Sequence, residues 1–316
     1  MSDKMNRDDS ISLTAQIQEW IGSTAPVLPG RAESSKVREL ISRTFFSSEG
    51  SDSKLFLDEL EEEVRCLSPD EFEQDPYIRA MRDLPEKTVC GRFTLAKVRY
   101  EAGELFAYDA PKTSELSERA AKEKLMVPRI GFFPRSVSFP AVYEEQIPWM
   151  SICPSEMNTL KEPIRHARAL VQGRKECRML VLGLGLGYFP FLLAQEETVR
   201  EIVIVEYSGE IIRLFKEYLL PRFPLRAKIR IIEADAFDYL RKVQPGEFDY
   251  VFADTWESQF DGAKDYTRIR RQEKRLDRSA EKKTGFSYWI EPQIRAYLEN
   301  ELGPLEDQDE QDQERI

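Results

Sequence analysis

From residue 178 onward, apolar runs of strand length alternate with segments of helical period, and few folds accommodate that rhythm. RMLVLGLG is followed by FPFLLAQEE, EIVIVEYS by GEIIRLFKEYLL, KIRIIEAD by AFDYLRKV, FDYVFADTW by a long charged stretch, and FSYWIE by PQIRAYLENEL. Strand, helix, strand, helix in series implies parallel strands joined by crossover helices, which is a doubly wound α/β sheet. In such a sheet a ligand sits beyond the carboxyl ends of the strands, where the strand order reverses.

The first strand ends in LVLGLGLGYFP, residues 180 to 190. The chain holds only 15 glycines in 316 residues, so Gly183, Gly185 and Gly187 within five positions need a reason. Glycine weakens a strand interior, but it permits a sharp turn and brings backbone N–H groups against a ligand with no Cβ in the way. A glycine-softened buried strand is the plain alternative, and the strand-turn-helix context argues against it. The dinucleotide fingerprint G-x-G-x-x-G would place its third glycine at 188, where this chain has Tyr188, so a nicotinamide cofactor is disfavoured.

The following strand ends supply acids. The second ends in Glu206 and Tyr207, where a carboxylate can accept both ribose hydroxyls and an aromatic ring can lie against a purine. The third ends in EADAF, offering Asp235 to an adenine amino group and the Ala236 backbone to a ring nitrogen. One such acid alone would read as a solvated loop residue. Three strand ends in series carry more weight.

On these motifs, residues 178 to 256 resemble the core of a class I S-adenosylmethionine-dependent methyltransferase, in the spermidine-synthase-like branch. The resemblance covers about the last half of the chain. It implies a Rossmann-like, mostly parallel sheet binding S-adenosylmethionine as cofactor, with Glu206 on the ribose and Asp235 near the adenine. It places Asp254, at the fourth strand's end, near the reactive methyl as the candidate catalytic residue, and Leu184, Tyr207 and Phe237 along the cofactor. It also implies methyl transfer to a small-molecule acceptor.

The departures from that pattern are specific. Many such methyltransferases carry an acid two places before the first glycine, where this chain has Val181. Spermidine synthases carry an aspartate between the second and third glycines, where this chain has Leu186, which disfavours aminopropyl transfer. The segment CPSEMNTL is similar to a spermidine-synthase helix that contributes a His-Glu pair, with Ser155 in place of the histidine. Glu156 is the candidate to replace the missing carboxylate; a glutamate interacting with the dipole of its helix's first turn is an equally good account. FADTWES lacks the Asn/Asp-Pro-Pro-Tyr/Phe signature of many amino-group methyltransferases. Asp254 is the candidate to orient an acceptor or serve as base, and a structural aspartate facing the cofactor explains it as well. A non-catalytic binding protein that kept the fold is a competing reading.

Residues 264 to 283 hold nine Lys/Arg against four Asp/Glu, with Tyr266, Ile269, Leu276 and Ala280 as a thin apolar stripe. A solvated helix packed on one face is the bland account. A basic lid for an anionic acceptor, or a local RNA contact, is the sharper one. Only FSYWIE and one short helix follow, so the sheet is expected to be truncated at its last strands, or to be covered there by strands from residues 90 to 152. Contacts in a homodimer are a further way of capping that edge.

Residues 1–152 are expected to form an amino-terminal region, helical between about 10 and 85 and β-rich between 90 and 152, and residues 153–305 the cofactor domain. Phe133, Phe139, Tyr143, Trp149 and Met150 either wall an acceptor pocket or belong to a core. The tail, residues 306–316, carries six acids against one arginine and reads as a solvated, disordered end. It accounts for −5 of the formal net charge of −11, and the remainder argues against general nucleic-acid binding. Four scattered cysteines and the lone His166, expected to face solvent, point away from zinc sites and disulfides and toward a reducing, cytoplasmic setting. No apolar run is long enough to span a membrane.

Overall fold

The computed structural model describes residues 64–113, 126–224, 226–278 and 283–302. The helical pattern expected before residue 64 and the acidic tail lie outside the described residues, as do residues 279–282 of the basic stretch. In chain order the strands are β1 (Arg65–Cys66), β2 (Lys87–Cys90), β3 (Phe93–Tyr100), β4 (Phe106–Thr113), β5 (Met126–Phe132), β6 (Val137–Glu144), β7 (Ile147–Ser151), β8 (Cys177–Leu182), β9 (Val199–Glu206), β10 (Lys228–Glu233), β11 (Tyr250–Ala253) and β12 (Gly285–Tyr288).

Contacts gather the chain into two compact units that interleave along the sequence. The first comprises the described parts of Met1–Arg79, Lys97–Ala141 and Ser151–Asn158; the second comprises Ala80–Ala96, Val142–Met150 and the described parts of Thr159–Ile316. Strands β3 and β6 each change unit partway along.

In the first unit, β4 pairs antiparallel with β5, and β5 pairs parallel with β1, giving the order β1-β5-β4. Its core is aromatic. Phe72 meets Phe133 and Phe139 edge-on at 5.7 and 6.2 Å, and Phe106 lies 5.0 Å from Phe133. Such edge-to-face contacts use the ring quadrupole as well as the buried area. Arg135 joins Asp70 and Glu73 at the surface beside the short helix Pro69–Glu73. The sequence predicts a small antiparallel sheet or a set of hairpins between residues 90 and 152. The structure has antiparallel pairs there, β2–β3 and β4–β5, divided between this sheet and a four-stranded one of order β2-β3-β6-β7, because short apolar runs specify strands without specifying partners.

The second unit is built on five parallel strands in the order β10-β9-β8-β11-β12. This is a Rossmann-like, doubly wound α/β sheet. Burial follows position: β11, and β8 apart from the partly buried Arg178, are apolar and buried on both faces, whereas the edge strand β10, KIRIIE, mixes partly buried and exposed residues. Lys228 and Arg230 on that edge lie within ion-pair distance of Glu201, and charged side chains discourage pairing with another chain. One face of the sheet is covered by a continuous core in which Leu180, Val203, Val251 and Phe286 meet Tyr266, Ile269 and Leu276 of the helix Gln259–Arg278 and Ile294 and Leu298 of the helix Glu291–Leu302. The "long charged stretch" of the sequence is therefore a 20-residue helix with one buried stripe. No helix among the described residues is long and apolar enough to cross a membrane.

Candidate functional site

Five parallel strands end on one edge, and the chain order reverses on either side of β8. That reversal opens a crevice beyond the carboxyl end of β8, and the three glycines occupy it. Gly183 prolongs the β8–β9 ladder by one residue, its N–H donating to Val205 O at 2.9 Å. It then leaves the strand at φ +92°, and a Cβ there would fall 1.8 Å from Asp254 O. No L side chain fits, so β8 and the segment after β11 approach each other closely only because residue 183 is glycine. Gly187 N donates to Leu184 O at 2.9 Å, closing the turn, and Gly187 is the N-cap of the helix Tyr188–Leu193, whose six residues are all buried. Phe189 stacks on Phe252 with centroids 4.0 Å apart and fixes that helix on the sheet.

Gly185, at φ +50°, is partly buried and is where Met150 meets the turn. A Cβ there would meet the Met150 Cε at 2.6 Å and its sulfur at 3.0 Å. Met150 ends the segment Val142–Met150, which belongs to the second unit. The same segment places Trp149 5.2 Å from Phe93. Of the aromatics named as acceptor-pocket candidates, Phe133 and Phe139 lie fully buried in the core of the first unit, so they serve packing.

Glu206 is half-buried at the end of β9, and its two carboxylate oxygens accept from Leu184 N at 3.0 Å and Ser208 N at 2.7 Å. The acid thus ties the glycine turn to the loop after β9. Each carboxylate oxygen has two lone pairs, so one on each stays available to a ligand hydroxyl. Tyr207 beside it is 80% exposed. Asp235 is exposed and caps the helix Ala236–Leu240, one oxygen accepting from Asp238 N at 2.8 Å. Ala236 and Phe237 follow, partly buried, and the Arg268 guanidinium lies 3.6 Å from the Phe237 ring centroid.

Asp254 leaves β11 with its N–H on Leu182 O at 2.8 Å. Its carboxyl is pushed up to about 7, first by desolvation and then by the negative charge of Glu206. Next to it, Thr255 Oγ1 and Trp256 Nε1 are buried without a hydrogen-bond partner. Nothing in the residue order signals these two polar atoms, since a Thr-Trp pair after a strand is unremarkable until its burial is known.

Glu156 lies in the first turn of the helix Pro154–Val171, half-buried, in the stretch Ser151–Asn158 that belongs with the first unit. His166 is exposed as expected, and its Nδ1 lies 2.9 Å from Ser287 Oγ, which also accepts from the buried Tyr250 hydroxyl. It stands apart from the glycine turn as part of a structural network under β12. Among the described residues no three His, Cys, Asp or Glu side chains cluster so as to hold a metal ion.

No protein-family model matches the sequence, and no curated protein does. Similar solved structures include a precorrin 8w decarboxylase of Methanobacterium thermoautotrophicum, 18% identical, with TM-score 0.31 over 45% of this chain and 72% of that one. A spermidine synthase of Thermotoga maritima is 16% identical, with TM-score 0.34 over 51% of this chain and 56% of its own. Human methyltransferase-like protein 13, in complex with SAH, is 18% identical, with TM-score 0.25 over 34% of this chain and 53% of its own. The chain spans about half the length of the latter two. The doubly wound assignment rests on the strand order and register of this sheet.

Proposed function

We propose that the chain binds S-adenosylmethionine at the carboxyl edge of β8–β11 and transfers its methyl group to a small-molecule acceptor. The observation that carries this reading is the bond from Leu184 N to Glu206, which joins a three-glycine turn to an acid on the next strand, with Asp254 against the same turn. The donor set fits the cofactor. Glu206 keeps acceptor capacity for the ribose hydroxyls, Tyr207 offers an open ring face, and Asp235 keeps one oxygen for the adenine amino group.

The cofactor supplies an electrophilic methyl on a sulfonium, and displacement at that carbon needs an aligned acceptor more than a strong base. Two carboxyl groups, Glu206 and Asp254, make the crevice negative and favour a cationic ligand. A cation bound there stabilises ionised Asp254, which then orients the acceptor or takes its proton. Glu156 is the proposed partner of the methionine amino group. Leu186 is fully buried, so the turn presents no carboxylate at that position, which speaks against aminopropyl transfer.

A second reading, a binding protein without turnover, has one observation in its favour: both Glu206 oxygens already accept backbone N–H groups. Calorimetric titration with S-adenosylmethionine, its decarboxylated form and S-adenosylhomocysteine separates the readings. Micromolar binding of the intact cofactor and of S-adenosylhomocysteine, lost in Glu206→Ala, is the expected result. Absence of binding to all three ligands overturns the cofactor assignment. Binding without turnover across broad acceptor pools favours the second reading. Glu156→Gln is expected to weaken binding of the intact cofactor, and unchanged affinity removes Glu156 from the site.

A further inference from the structure

Buried polar groups in folded proteins find partners, so each one that does not calls for a reason. Among the described residues, four buried side-chain atoms lack a hydrogen-bond partner: Thr255 Oγ1, Trp256 Nε1, Gln293 Oε1 and Asp277 Oδ1. The first three lie on two segments that leave the sheet side by side. Trp289 N donates to Ala253 O at 2.9 Å, so the chain after β12 runs beside the chain after β11 at the carboxyl edge. Thr255 and Trp256 follow Asp254 on one segment, and Gln293 stands in the first turn of the helix Glu291–Leu302 on the other. Thr255 also faces the glycine turn: a Cβ on Gly183 would lie 3.7 Å from its Cγ2.

The neighbouring polar groups are paired, so the three atoms are not the product of a loose edge. Trp289 Nε1 donates to Thr159 Oγ1 at 3.1 Å, and the Tyr266 hydroxyl donates to Glu291 Oε1 at 2.8 Å. The Trp256 ring is held against Gly262, where a Cβ would fall 2.7 Å from its Cγ, and the residue is 6% exposed. Its N–H is therefore fixed in place. Ile290, just before the helix, sits at φ +46°, a costly conformation for a β-branched residue and one that gathers at ligand sites. Thr255 and Gln293 are only partly buried, so solvent comes within one side chain of the shielded atoms.

The donor and acceptor types narrow the occupant. Trp256 Nε1–H can only donate, Gln293 Oε1 can only accept, and the Thr255 hydroxyl does either. An ammonium group has nothing for Trp256, and a carboxylate has nothing for Gln293. A carboxylate would also meet the acids Asp254 and Glu206 at the same edge. A neutral amide presents a carbonyl and an N–H together. We infer that the edge formed by Thr255, Trp256 and Gln293 holds an uncharged amide, its carbonyl oxygen toward Trp256 and its N–H toward Gln293. This amide is the handle by which the methyl acceptor is held, not the atom methylated. The role as acceptor rests on the methyl-transfer reading; the binding of the amide does not.

Benzamide is the probe, titrated by NMR into the full chain isotope-labelled at the indole nitrogens of its four tryptophans. Trp256→Phe identifies the Trp256 signal; Phe at the other three tryptophans identifies it by elimination if that variant does not fold. Benzamide is expected to move this signal saturably. It should bind at least about tenfold more tightly than acetophenone, which cannot donate, or benzoate, which is charged. Gln293→Leu, checked for folding by a thermal melt, is expected to weaken benzamide about fivefold and to leave acetophenone unchanged. The titrations are run with and without S-adenosylhomocysteine, so that a site completed by the cofactor is not missed. A signal unmoved in both, as for atoms served by a buried water, overturns the inference, and so does equal binding of the three compounds. Bound S-adenosylhomocysteine without bound benzamide sinks the amide inference alone. Bound benzamide without bound S-adenosylhomocysteine removes the amide's role in methyl transfer and leaves its site standing.

Discussion

Asp254 is where protonation is expected to act on stability and, on the proposed function, on ligand binding. Burial and then the Glu206 charge push its folded carboxyl up to about 7 from the ordinary value of 3.8, so between those limits the folded state holds more proton than the unfolded chain. Stability then falls as pH rises from about 4 toward 7, the opposite of a salt-bridged aspartate. Asp254→Asn is expected to be more stable than the wild type at pH 8, by about 2 kcal/mol after allowance for solvent at a partly exposed group. That gain should vanish near pH 4 in urea melts. Ligand binding runs the other way. A sulfonium ligand favours ionised Asp254, so its affinity is expected to rise from pH 6 to pH 8 in the wild type and to stay level in the asparagine variant. Gly183→Ala is a backbone test: positive φ and the closeness of Asp254 O together predict a loss of more than about 2 kcal/mol, with the turn displaced and cofactor binding lost.

At the scale of elements, the sequence was most legible where burial leaves few options. β11 and all of β8 but Arg178 are apolar and buried, their glycine and acid termini are in sequence, and each crossover helix has a clear period. Parallel pairing follows from that rhythm. The candidate site positions were legible only as types of residue. Glu206 was readable as an acid at a strand end, but its bonds to Leu184 N and Ser208 N depend on the shape of two loops and leave no periodic trace. Asp235 was readable as an acid at a strand end, and the fold shows it as the cap of the following helix. Met150 was one apolar residue among several, because contact with Gly185 joins segments 35 residues apart in sequence. The basic helix was ambiguous for the same reason: charge counts do not say which cations turn inward. Its inner stripe makes a direct prediction. Leu276→Ala, removing a side chain that is 1% exposed, is expected to cost about 3 kcal/mol in denaturant melts, whereas Lys264→Ala should change stability by less than about 0.5 kcal/mol.

For the whole molecule, the consequential fact is that the chain passes between its two units five times, at residues 79/80, 96/97, 141/142, 150/151 and 158/159. A fragment spanning 153–305, the cofactor domain expected from motifs alone, lacks Ala80–Ala96 and Val142–Met150. Those segments give the second unit Cys90 against Glu210 O, Arg222 against Asp83 O, and Met150 against Gly185. The fragment is expected to melt well below the full chain and to expose apolar surface to a hydrophobic dye, and restoring residues 80–152 should reverse both. The Cys90–Glu210 pair also bears on synthesis. Its members are 120 residues apart, and at ribosomal speeds of about 5–20 residues per second the strand waits on the order of ten seconds for its partner. During that interval β2 and β3 emerge as a nascent hairpin with no helix beneath it. A chaperone that holds extended apolar segments would find its client there, in the half of the protein that reaches the ribosome exit first.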